Sequence, residues 1–251
     1  MKRLLLVLLL GLVQVQAQVG VLDLADPVFL GGTVNDEVGG GGSVSFRAAQ
    51  TSEFTSATAS PTISYPTAVA NDIWLCAIVT DTIHDSTGTP PTGWTKLYEV
   101  DVLTDTSTSV FWKRATGSEG ASEEWTSIFA ATEVGAVAVV AYSGCTTSGS
   151  PIEDSAQDVS ASPTDTPTTP SVTTTGTNRM IVGFFGADMI TGVTHTPNGS
   201  DNERAELEAT GSLGTVVALD RFEASAGSYT LSATASAGTD TYANIGIALK
   251  P

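Results

Sequence analysis

The chain has 251 residues, with 10 Lys and Arg against 27 Asp and Glu, and a formal charge of −17 at pH 7. An acidic excess of this size excludes nucleic acid as a partner, because phosphate binding needs a basic face. It also disfavours anionic membrane surfaces, and it favours solubility in a saline or calcium-containing medium.

Residues 1–17, MKRLLLVLLLGLVQVQA, read as a secretory signal peptide. Lys2 and Arg3 form the charged start, Leu4 to Val13 the apolar centre and Val15-Gln16-Ala17 the small-residue cleavage site. The apolar centre is too short to span a bilayer as a helix, and no later stretch is long enough. Residues 18–42 form a second unit. Val19, Val21, Leu22, Leu24, Val28, Phe29 and Leu30 are apolar without a clean period, and Gly39 to Gly42 form a flexible hinge. This reads as a short attachment segment.

From Ser43 onward Thr, Ser, Ala and Val dominate, and such chains make strands. The first set of strands is expected near 44–48, 61–66, 72–80, 94–103, 108–114, 124–130 and 134–143. The second is expected near 170–174, 179–187, 203–209, 214–222, 228–235 and 242–250. Gly, Pro and Asn punctuate them. The one weak helix candidate lies at 118–125. The Ser/Thr/Pro-rich stretch Ser148 to Thr169 reads as a crossover joining halves 43–147 and 165–251.

The stretch NDIWLCAIVTD at Asn71 to Asp81 recurs as NRMIVGFFGAD at Asn178 to Asp188, an offset of 107 (178−71 and 188−81). The same offset aligns Tyr98-Glu99-Val100-Asp101-Val102 with Ala205-Glu206-Leu207-Glu208-Ala209. It also aligns Val110 to Arg114 with Val217 to Arg221, and Val140-Ala141-Tyr142 with Ile247-Ala248-Leu249. The runs at 73–79, 136–142 and 180–185 are apolar on both faces and belong to central strands covered on both sides. Many strands, short turns and few helix signals imply an all-β fold. The expected architecture is an antiparallel, jelly-roll-like β-sandwich built from two sequence-related halves around one core.

In order, PPTGWTKL (Pro90 to Leu97), VFWKRATGSE (Val110 to Glu119), AVVAYSG (Ala138 to Gly144) and TPSVTTTGTNRMIVGFFG (Thr169 to Gly186) resemble β-sandwich modules of bacteriophage tail or virion proteins and of secreted bacterial surface proteins. The resemblance covers about residues 44–251. It implies a structural or attachment role with no active site. Phage tail proteins do not normally carry an export signal, so residues 1–17 favour the secreted version.

Each candidate chemical group has a structural alternative. Cys76 and Cys145 form an even pair that in an exported protein suggests a disulfide worth ~4 kcal/mol; two small buried hydrophobes is the other reading. Asp81 and Asp85 follow a central strand and Asp188 sits at the repeated position, so their oxygens are candidate calcium ligands, although no regular calcium-loop spacing is present. His84 and His195 lie in the loops after the repeated strand, where no Gly-x-Ser-x-Gly elbow accompanies them. The carboxylates Glu99, Asp101, Glu206 and Glu208 alternate on strands, which fits a solvated face better than a glycosidase pair. Trp74 belongs to the core. Trp94, Trp112 and Trp125 suit either packing or stacking on sugar rings. Trp94, after the Pro-Pro-Thr-Gly loop, is the binding candidate, together with His84 and Asp85.

The expected function is a non-catalytic extracellular binding or assembly module, attached to a protein or glycan surface and open to self-association. Its rivals are a phage virion structural protein and a secreted glycan-active enzyme.

Overall fold

The computed structural model describes residues 42–188, 192–208 and 214–251. The expected signal peptide and all of the apolar segment but its last residue lie outside these. Among the described residues there is no helix, and so none that is long and apolar enough to cross a membrane.

Two five-stranded antiparallel sheets form the fold. The first contains β1 (Ser45–Thr58), β3 (Ile73–Thr80), β4 (Trp94–Val102), β5 (Thr106–Arg114) and β7 (Glu133–Ser143), with β2 (Thr62–Ser64) pairing β6 (Ser122–Glu124) outside it. The second contains β8 (Ile152–Val159), β10 (Arg179–Ala187), β12 (Asn202–Glu208), β13 (Thr215–Glu223) and β16 (Ala243–Leu249). Outside it, β9 (Val172–Thr174) pairs β14 (Gly227–Tyr229), and β11 (His195–Pro197) pairs β15 (Ala233–Ala235). The strand orders are β1-β7-β3-β5-β4 and β8-β16-β10-β13-β12. Ranked along the chain, both read first, fifth, second, fourth, third.

Local geometry repeats with the order. Asn71 and Asn178, each just before a central strand, have positive φ of 73° and 59°. Asn tolerates that left-handed conformation where bulkier residues do not. Bulges fall between Lys96 and Tyr98 and between Glu203 and Ala205. Leu75 pairs Val140 as Val182 pairs Ile247, an offset of 107. The fourth strands differ: Leu75 pairs Trp112 but Val182 pairs Asp220, an offset of 108. Aligning Val110 to Arg114 with Val217 to Arg221 is therefore wrong by one residue. In a strand, one residue exchanges the two faces.

The sheets stack face to face, β1 over β12 at one edge and β4 over β8 at the other. Their facing side chains, among them Leu75, Val110, Val140, Val182, Phe184 and Ile247, make one buried cluster shared by both sheets. The outer face of each sheet carries a second layer. Tyr65, Trp74, Trp94, Phe111 and Trp125 cover the first, while Val172, Ile181, Phe185, Leu231 and Tyr242 cover the second. That double cover explains why β3 is buried at every position.

Four expectations need correction. The crossover contains β8, an edge strand of the second sheet. Its sequence, IEDSAQDV, is too polar to read as a strand, but charged side chains are what protects an edge from further pairing. The strand expected at 124–130 is a set of turns beyond β6, and the region 118–125 is loop and short strand rather than helix. The run 228–235 breaks into β14 and β15.

Candidate functional site

The loop after β3 folds back onto its own sheet. His84 is 3% exposed, with its ring edge against Phe129. Nδ1 shares a 2.5 Å hydrogen bond with Thr80 Oγ1, and Nε2 one of 3.0 Å with Ser109 Oγ. Ser86 donates both its backbone N–H and its hydroxyl to Glu99 Oε2, which also receives Lys96 Nζ at 2.5 Å. Burial lowers the His84 pKa to about 4, against the opposing pull of Glu99 and Asp101. Hydroxyls rather than a carboxylate hold the imidazole, and the serines beside it are buried. This is a packed polar network without access for a substrate.

The corresponding corner of the second sheet is arranged differently. Glu206 accepts the His195 backbone N–H at 2.9 Å and pairs with Nδ1 at 2.6 Å, while Nε2 meets Tyr242 Oη at 3.0 Å. His195 and Tyr242 are buried. Glu99 and Glu206, expected on a solvated face, are half-buried supports for these loops. Trp94 is only 6% exposed, so it offers no stacking face. Asp85 is exposed, its carbonyl accepting from Ala130 N at 3.1 Å.

At the ends of the central strands, Asp188 feels Asp81, Asp240 and Asp105, but not Asp85. Burial first, and these charges next, raise its pKa to about 6. Among the described residues no group of three or more His, Cys, Asp or Glu side chains is placed to hold a metal ion. The expected calcium set of Asp81, Asp85 and Asp188 is therefore not brought together. The expected disulfide is absent too. Both cysteines are free and buried: Cys76 faces the outer aromatic layer and Cys145 the core between the sheets. Burial holds both thiols well above their usual range, so they act as small apolar side chains.

The opposite end of the same outer face is open. Across three strands, Trp74, Lys113 and Trp94 stand side by side in register. Lys113 Nζ lies 5.8 Å from the Trp74 ring centroid and 6.0 Å from that of Trp94, and 3.6 Å from Glu119 Oε1. Burial pushes the Glu119 pKa up, but the backbone N–H groups of Thr116 at 2.6 Å and Gly117 at 2.9 Å outweigh it, and the carboxyl sits below its ordinary range. Tyr65 Oη donates to Glu123 Oε2 and accepts from Trp125 Nε1, both at 2.9 Å. Above these side chains lies a groove of two lobes, about 260 and 280 Å³, which share Tyr65, Glu119 and Gly120. Trp74 lines the first lobe and Lys113 the second. The indole N–H groups of Trp74 and Trp94 are buried without a partner. Lys113, Glu119, Glu123 and the Tyr65 hydroxyl thus converge on one groove whose wall includes the buried Tyr65 and Trp74, and convergent polar groups in a cleft are the chemistry of a binding site. Sequence reasoning weighed Trp94 but missed Tyr65, Lys113 and Glu119. The available signal was Lys113 itself, a lysine alternating with the apolar Phe111 on a covered strand face.

No family model, no curated protein and no solved structure matches the chain. The fold and the groove define the class that stands: an all-β, antiparallel sandwich with a polar groove on the outer face of its first sheet.

Proposed function

We propose that the protein is a non-catalytic, extracellular binding or assembly module that attaches to a protein or glycan surface. The observation that supports this is where the reactive side chains stand. Both histidines, both cysteines and the serines beside His84 are buried in packing or in closed hydrogen-bond networks. The acidic surface and the export signal read at residues 1–17 suit a secreted protein. We read the common strand order as two copies of one five-stranded sheet, a duplication that yields a rigid frame with two independently variable outer layers. In such a frame the loops and layers diverge while the strands do not.

The test uses the full chain, labelled and incubated with bacterial cell envelopes, cellulose and chitin. Both retention on each surface and release of soluble sugar are measured. Saturable retention without release supports attachment. Sugar release abolished by Glu99→Gln or Glu206→Gln would establish an enzyme instead. Failure to be retained on any of the three also rejects the reading.

A further inference from the structure

We propose that the groove over Trp74 is a saccharide-binding subsite taking one or two neutral sugar rings. The inference rests on the attachment reading above and gives it a location. Three observations carry it.

The first is an unmet donor. Trp74 is 1% exposed, lines the groove, and its indole N–H has no partner; the Trp94 N–H beside it has none either. Buried donors in folded proteins are satisfied by protein, water or ligand, and an orphan marks a place where an acceptor is expected. A ligand that reached this donor would have to present an oxygen atom to it.

The second is the balance of charge. Lys113 and Glu119 stand 3.6 Å apart at the groove, both about nine-tenths buried. An anion would meet Glu119 and Glu123. A cation would find the place over the indole rings already taken by Lys113. A neutral hydroxyl suits both groups, since it accepts from the ammonium and donates to the carboxylate. An apolar ligand would bury all of these groups without replacing their water, at a cost.

The third is size and rigidity. The two lobes, about 260 and 280 Å³, fall just below the usual range for drug-sized ligands, which fits one or two rings. The wall is fixed by Gly117, whose φ is +81° and where any Cβ would come within 2.7 Å of Ala70 N. The site is thus preformed, which lowers the cost of binding.

The experiment titrates the full, ¹⁵N-labelled chain with cellotriose, chitotriose and mannotriose, each up to about 10 mM, the range that reveals weak binding. The Trp74 indole N–H resonance is assigned by its loss in Trp74→Phe. At least one trisaccharide should move that resonance saturably. Lys113→Met, which keeps the aliphatic stem over the indoles, should weaken binding at least tenfold. Thr67→Tyr, at an exposed lining position, should block the groove and do the same with an unchanged melting temperature. If no trisaccharide moves the resonance while the chain is still retained on envelopes, cellulose or chitin, the groove assignment falls and the attachment reading stands. Wild-type affinity in both variants also overturns the assignment. Loss of retention on every surface rejects the attachment reading itself.

Discussion

The outer faces of the two sheets have the same frame and opposite solutions for covering it. On the second sheet, Gly183 pairs with Gly246 on adjacent central strands. The covering chain comes down onto both. A Cβ at Gly183 would meet Thr169 Cγ2 at 2.8 Å, and one at Gly246 would meet the Pro170 carbonyl at 3.0 Å. On the first sheet the corresponding pair is Cys76 with Val139, and Trp74 stands where the second sheet has Ile181. Larger side chains hold the cover off the sheet, so it is completed by rings: Tyr65, Trp74, Trp94 and Trp125 pack with neighbouring centroids 4.8 to 6.0 Å apart. Tryptophan rings also carry polar N–H groups that need partners. The groove and its two orphaned indoles are thus a consequence of side-chain size at a few outward positions.

The sharpest way to break this comparison is to remove a ring. Trp94→Ala should cost about 3–5 kcal/mol of stability by urea denaturation, since it empties a buried site among three aromatic neighbours. A loss below about 1 kcal/mol would mean the aromatic layer is ornamental. The expectation that Trp94 belongs to an exposed binding edge fails for the same reason. Its position after a Pro-Pro-Thr-Gly turn places it at a strand start, but only the β2–β6 cover decides whether its ring meets water.

That division runs through the molecule. The central strands are legible because continuous apolar runs admit one reading, burial on both faces, and because the left-handed turns at Asn71 and Asn178 demand a tolerant residue. The strand β8 is illegible because an edge packs one face only, and Ser, Asp and Glu mask the alternation. The groove is assembled from Tyr65, Trp74, Lys113 and Glu119, four residues spread over some fifty positions, and no spacing rule links them. The registers that align Lys113 between two tryptophans are set by tertiary pairing.

The polar corners give the next test. His84 is neutral in the fold, its pKa lowered to about 4 by burial. The unfolded chain takes up a proton near pH 6.5 and the folded one does not. This group's contribution to stability is therefore intact above about 6.5 and lost as pH falls towards 4, by on the order of 3 kcal/mol. In His84→Gln, which keeps hydrogen bonding to Thr80 and Ser109, that acid slope in denaturation midpoint should disappear. An unchanged slope would assign it to another group. His195, held by Glu206 on one nitrogen and Tyr242 on the other, is the internal comparison, and His195→Gln tests it under the same conditions.

Smaller still is the effect of filling the second sheet's close approach. In a strand, Gly to Ala ordinarily stabilises by restricting the unfolded chain. At Gly183 the new methyl collides with Thr169 and Leu231, so Gly183→Ala should instead lose about 1–3 kcal/mol. Thr169→Ser removes the nearest clashing methyl and keeps the hydroxyl that accepts from Leu231 N. The double variant should therefore recover part of the loss, a coupling readable in a double-mutant cycle. Additive losses would show that the cover is not seated on Gly183. Cys76→Ala, at the matching position of the first sheet, should show no coupling to any threonine.

The smallest effect concerns a place where the ends of the two sheets meet through like charges. Asp81 and Asp188 end the two matching central strands, and Asp188 carries the strain. Burial and the charges of Asp81, Asp240 and Asp105 raise its pKa to about 6. The folded protein thus holds this proton more tightly than the unfolded chain does. The stability it contributes is fully present below pH 4 and is lost as pH rises through about 6. Asp188→Asn should accordingly raise the melting temperature at pH 7 and leave it nearly unchanged at pH 4. The gain should not exceed about 2–4 °C, the shift that ~1 kcal/mol produces at this size, because Asp188 is only half-buried and water screens part of the repulsion. Asp81→Asn should move the Asp188 titration, followed by carboxyl NMR, to lower pH without abolishing it, because burial is the larger cause. If Asp81→Asn returns Asp188 to an ordinary carboxylate, the repulsion between the two strand ends dominates and burial does not. If Asp188→Asn is destabilising at pH 7, its carboxylate is making a favourable contact, and the like-charge account of this end is wrong.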